Sequence, residues 1–121
     1  MSGIVNDKSF ESIFRDGRTH SVWLDKPVSD VTIQALYDLL CLGPTSANSS
    51  PARFLFLRSP EAKERLRPHL SAGNLEKTMS APIVAIVGYD LAFCDKFDVL
   101  WPGNDQVRGW FAGNDEKLLE T

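Results

Sequence analysis

Two short apolar runs constrain the fold of this chain more than any other feature. Arg53-Phe54-Leu55-Phe56-Leu57-Arg58 and Pro82-Ile83-Val84-Ala85-Ile86-Val87-Gly88-Tyr89 are bounded by turn formers and rich in aromatic or β-branched residues, the composition of strands. Their nearly unbroken apolarity predicts sheet covered on both faces. Between them, Ser59-Pro60-Glu61 combines a helix N-cap, a proline at the first helical position and an acidic first turn. A helix therefore starts there, and Pro68 ends or bends it. A further helical turn runs from Asn74 to Met79. Strands separated by helices point to a mixed α/β or α+β sheet.

The N-terminal third is helical in pattern. Phe10, Ile13 and Phe14 recur at i, i+3, i+4 before Asp16-Gly17 interrupts the run. Ser29 is placed to cap a helix over about residues 30 to 41, with Val28 and Ile33 as a hydrophobic staple and Leu36, Tyr37 and Leu40 continuing the stripe. Gly43-Pro44 stops it. At the other end, Asn114 or Asp115 could cap a helix that reaches Thr121 after barely two turns, too short to gain much without packing. That unfinished helix predicts that Thr121 is a truncation point.

With 121 residues, the chain is sized for one domain, residues 1–121, with a single core. A net charge of -3 offers no basic footprint for nucleic acid. No stretch approaches the roughly 20 apolar residues of a membrane span, and no secretory leader is recognisable. Cys41 and Cys94 are far apart, without a C-x-x-C pairing or a neighbouring histidine. They read as reduced thiols of a cytoplasmic protein, and structural zinc is not expected.

Three polar clusters carry the chemistry. The first is Arg18-Thr19-His20, where a guanidinium can grip a phosphate while hydroxyl and imidazole add donors; alone, the same triplet reads as surface residues. The second is the loop Gly43-Pro44-Thr45-Ser46-Ala47-Asn48-Ser49-Ser50-Pro51-Ala52-Arg53, which crowds five short polar side chains between two prolines, more than a connector needs. The third is Gly73-Asn74-Leu75-Glu76-Lys77, whose Asn74 and Lys77 leave one helical face together. An amide and a cation aimed at one point suit a ligand edge that becomes negative during reaction, although a capping Asn and a solvated Lys would look the same. His69 has no carboxylate or thiol neighbour, and Trp23, Trp101 and Trp110 read as packing residues. No G-x-G-x-x-G, P-loop, nucleophile elbow or metal signature occurs.

Taken in order and spacing, R-T-H, G-P-T-S-A-N-S-S-P-A-R and G-N-L-E-K-T resemble the nitroreductase family of flavoproteins. Within it, these stretches, with Lys63-Glu64-Arg65-Leu66-Arg67-Pro68, look most like the malonic-semialdehyde reductase subfamily of the Rut pyrimidine-degradation pathway. The resemblance implies an FMN-binding α+β fold, with a central, mainly antiparallel sheet flanked by helices, incomplete here at its C-terminus. It implies a homodimer in the full-length form, with each flavin at the subunit interface. Arg18 and His20 match positions at the phosphate or nearby parts of FMN, Pro44, Thr45, Ser46 and Asn48 match a loop reaching the flavin from the partner subunit, and Asn74 and Lys77 match positions at the pyrimidine edge of the ring. NADH or NADPH would reduce the flavin, which then reduces a small carbonyl compound, malonic semialdehyde to 3-hydroxypropionate. No protein nucleophile is needed, because the flavin carries the chemistry. The alternatives are a broad nitro or quinone reductase, a catalytically incompetent fragment acting as an interaction module, and a non-flavin phosphate binder. Basic residues and a covering helix that complete the family's site lie beyond position 121, in keeping with a truncated chain.

Overall fold

The computed structural model describes residues 6–111 and 113. Its centre is a two-stranded antiparallel sheet of β1 (Ala52–Leu57) and β2 (Val84–Tyr89), in register from Ala52 opposite Tyr89 to Leu57 opposite Val84. Around it lie α1 (Asp7–Phe10), which continues as π-helical turns over Glu11–Arg15, α2 (Asp30–Leu40), α3 (Pro60–Leu66), α4 (Ala72–Ser80) and α5 (Phe97–Leu100). This is an α+β arrangement. The helix expected over Asn114 to Thr121 lies outside the described residues.

The helix starts follow from local chemistry. Ser29 Oγ accepts the Thr32 amide at 3.1 Å, and Ser59 Oγ accepts the Ala62 amide at 3.2 Å, each relieving one of the amides that a first helical turn leaves unpaired. Pro60 then costs α3 nothing, since the amide it lacks would have had no partner. α2 meets the sheet through an edge-on contact of Tyr37 with Phe54, ring centroids 6.2 Å apart. On the opposite face Leu55, Leu57 and Ile86 share a shallow cleft with Ala62 and Leu66 of α3. Arg58 fastens the end of β1 to the start of α2 by donating to the Val28 carbonyl at 2.7 Å and pairing with Asp30.

Burial departs from the strand pattern. Leu57 is buried, yet Leu55 is 59% and Val87 65% exposed, so among the described residues the sheet is only partly covered. One helix on each side cannot span two fully apolar strands. The face of α1 is likewise open: Phe10 and Phe14 stack on each other at 6.2 Å while Ile13 and Phe14 stay exposed. The densest packing lies elsewhere. Phe93, Cys94, Phe97, Val107 and Phe111 form a buried cluster in which Phe93 sits 5.2 Å from Phe111 and 5.9 Å from Phe97, centroid to centroid. Ala47 and Leu100 pack against it, so the polar loop before β1 rests on this aromatic core.

Candidate functional site

Segment 19–27 has no regular structure and runs beside α4. A cleft of about 750 Å³ between them is lined by Ser21 to Pro27 on one side and by Glu76, Lys77, Ser80 and Pro82 on the other. That volume falls within the roughly 300–1,000 Å³ typical of small-molecule sites. A smaller cleft of about 250 Å³ brings Thr19, His20 and Trp23 against Lys77, Thr78 and Ile83. Lys77 and Trp23 line both. The two are joined directly, because the Trp23 indole N–H donates to the Lys77 carbonyl at 2.6 Å.

Two of the eight expected site residues, His20 and Lys77, therefore converge on one cleft. Asn74 lies one turn before Lys77 on α4, exposed and outside the lining of either cleft. Arg18 is turned back onto its own chain: its Nη1 donates to the carbonyls of Arg15 at 2.8 Å and Gly17 at 2.7 Å, closing the end of the π-helical turns. Gly17 is required at that bend, since a Cβ there would sit 2.8 Å from the Ile13 carbonyl oxygen. A guanidinium carries five donors, so the remaining N–H groups of Arg18 stay available to an anion.

The loop residues stand apart from this pair. Thr45 borders a separate cleft of about 260 Å³ with Tyr37, Cys41, Ser50, Arg53 and Lys96, and its hydroxyl accepts the Ser50 amide at 3.1 Å. Asn48 lines a further hollow with Ala47, Leu100 and Trp101, where its side-chain amide donates to the Leu100 carbonyl. Pro44 and Ser46 line none of these clefts. The loop is tightly wound: Ala47, Asn48 and Ser50 have φ of 50°, 55° and 43°, left-handed values that L-residues adopt at a cost on the order of 1 kcal/mol each. Ser49 is fully buried and its hydroxyl has no partner among the described residues.

Several connecting residues escaped the motif reading. Asp90 accepts from Lys96 at 2.6 Å, from Arg53 at 2.5 Å and from the Ala92 amide at 3.0 Å. Lys96, then the Ala92 amide, and more weakly Arg53 hold its carboxyl below the usual carboxylate range. Along α2, the Cys41 thiol beside Tyr37 pushes the phenol up. Cys41 is exposed, Cys94 is buried, and both are free thiols. Among the described residues there is no cluster of side chains able to hold a metal, and no helix is long and apolar enough to cross a membrane.

No protein-family model matches the chain. A Burkholderia lata protein with the provisional name NADH dehydrogenase/NAD(P)H nitroreductase is 54% identical over 117 residues, 97% of this chain. The chain is similar to this nitroreductase relative over nearly all of its own length. It spans 59% of the length of that nitroreductase relative. The nitroreductase fold is seen again in a solved structure of a provisionally named Bacillus subtilis nitroreductase, which matches 95% of this chain and 57% of its own with a TM-score of 0.67 at 18% identity.

Proposed function

We propose that the cleft between segment 19–27 and α4 is part of an FMN site, and that the protein is an FMN-dependent NAD(P)H oxidoreductase acting on a small carbonyl compound. The observation that carries this reading is that Lys77 lines the larger cleft and, in the smaller one beside it, meets His20 from a position 57 residues away in sequence. The donors suit the ligand. Lys77 offers a cation to the electron-rich edge of a heterocycle, Asn74 an amide from the same helical face, and His20 with the spare N–H groups of Arg18 the means to hold a phosphate. When bound, the flavin supplies the redox chemistry, taking reducing equivalents from NADH or NADPH and passing them to the acceptor. The protein's part is to bind, to orient and to stabilise negative charge on the ring.

The separation of the loop from this cleft supports a homodimer, in which Pro44, Thr45, Ser46 and Asn48 serve a flavin held mainly by the second copy. Its rigid winding and its seat on the aromatic core would let it present those groups in a fixed pose. Malonic semialdehyde is the substrate we favour, on the motifs shared with that reductase subfamily. Titration of FMN into the chain, followed by flavin fluorescence, tests the reading. Saturable quenching is expected, weakened roughly ten- to hundred-fold by Arg18→Ala, the worth of a charged hydrogen bond. A chain that stays folded and leaves the FMN fluorescence unquenched overturns it.

A further inference from the structure

Helix α4 ends without a cap of its own. Ala81, the residue after it, is extended at φ -61° and ψ 138°, and its amide makes no bond back into the helix. The last carbonyls of α4 must therefore find donors elsewhere. Lys63 Nζ reaches those of Met79 and Ala81, both at 2.9 Å, and the Ser80 hydroxyl donates to the Glu76 carbonyl at 2.7 Å. The Lys77 carbonyl is taken by the Trp23 indole at 2.6 Å, across 54 residues of sequence. Among the described residues this is the one recorded hydrogen bond between segment 19–27 and α4.

We infer that Trp23 is a positioning residue: its indole N–H holds the turn bearing Lys77 against the segment bearing His20, and so sets how tightly the cleft binds a flavin. The inference rests on the flavin reading above and adds to it a residue that acts through Lys77. Tryptophan suits the task, because its ring lines both clefts beside Lys77 while its single donor selects one carbonyl. Without that bond, segment 19–27 has no helix or strand pairing to fix its distance from α4.

The test uses the 121-residue chain, its Trp23→Phe, Lys77→Ala and doubly substituted forms, FMN as the probe, and amide hydrogen exchange on the ligand-free proteins. Phenylalanine keeps the ring and removes the donor. Trp23→Phe is expected to raise the FMN dissociation constant roughly three- to ten-fold, the worth of one neutral hydrogen bond. In the Lys77→Ala background the same change should add less than about two-fold, since coupled residues are not additive. Exchange at the amides of Thr78 to Ala81 should quicken in Trp23→Phe without ligand. An equal loss in both backgrounds, or no loss in either, overturns the inference while leaving the flavin site intact. No binding by the unaltered chain overturns the flavin reading and the positioning role with it, and unchanged exchange would then deny even the mechanical tie.

Discussion

Replacing Lys63 by methionine should loosen the far end of α4 and lower the stability of the whole chain. Lys63 is half-buried on α3, and its ammonium bridges the carbonyls of Met79 and Ala81 at 2.9 Å each, holding the α4 exit where the chain turns into β2. A hydrogen bond involving a charged group contributes about 1.5–3 kcal/mol net. Two such bonds from one ammonium, with carbonyls that water can partly recover, give an expected loss of about 2–3 kcal/mol. At roughly 0.05–0.15 kcal/mol per residue, a chain of this size has a total on the order of 10 kcal/mol, so the loss is a visible fraction. Methionine keeps the apolar stem, which confines the change to the ammonium. In urea, monitored by tryptophan fluorescence and far-ultraviolet circular dichroism, the midpoint should fall by about 1 M with an unchanged slope. Lys63→Arg, which retains donors, should fall less. A Lys63→Met stability within about 0.5 kcal/mol of the parent is what an ordinary surface substitution gives, and would refute the bridge.

Three further outcomes follow from the loop and its anchor. Ser49→Ala should leave stability unchanged or raise it by about 0.5–1 kcal/mol, because a buried hydroxyl without a partner is a cost that alanine removes; a loss above 1 kcal/mol in thermal unfolding would reveal a hidden acceptor. Asn48→Ala should cost about 1–2 kcal/mol and Asn48→Gly less, since alanine loses the amide bond to Leu100 and keeps the left-handed strain, whereas glycine is free at that φ; equal losses would assign the whole effect to the amide. Asp90, held below the usual carboxylate range chiefly by Lys96, gives a stability that is complete above its unfolded-state pKa and lost as pH falls through the lower folded value. The stability gap between the parent and Asp90→Asn should therefore hold at neutral pH and close below about pH 4, and a pH-independent gap in urea titrations would contradict the ion-pair account.

Local chemistry was legible in the sequence, and distant pairing was not. Ser29 and Ser59 cap their helices as the residue pattern predicts, because a cap involves only the next three residues. Both strands appear where their apolar runs lie, but their faces are more open than continuous apolarity implied, since burial depends on what packs across the sheet. The aromatic core was not legible: Phe93 and Phe97, and Val107 and Phe111, are each spaced i, i+4, but they sit in single short turns that form no sustained stripe, and only packing between those turns joins the two pairs. Of the eight residues that the motifs named, His20 and Lys77 share a cleft, while Thr45 and Asn48 line others. Nothing in the spacing of Trp23 announced a carbonyl partner 54 residues on, and nothing near Arg18 showed that its guanidinium would fold back onto Arg15 and Gly17.

The two-stranded sheet has a consequence for handling the protein. Each strand is paired along one side, and on the other it meets no further strand among the described residues, with Leu55 and Val87 standing out beside those edges. Unsatisfied amides and carbonyls next to bare aliphatic groups are a template for any extended polypeptide. Concentrated solutions should therefore drift toward oligomers rich in cross-chain ladders, and a lysine placed at Leu55 should keep them clear.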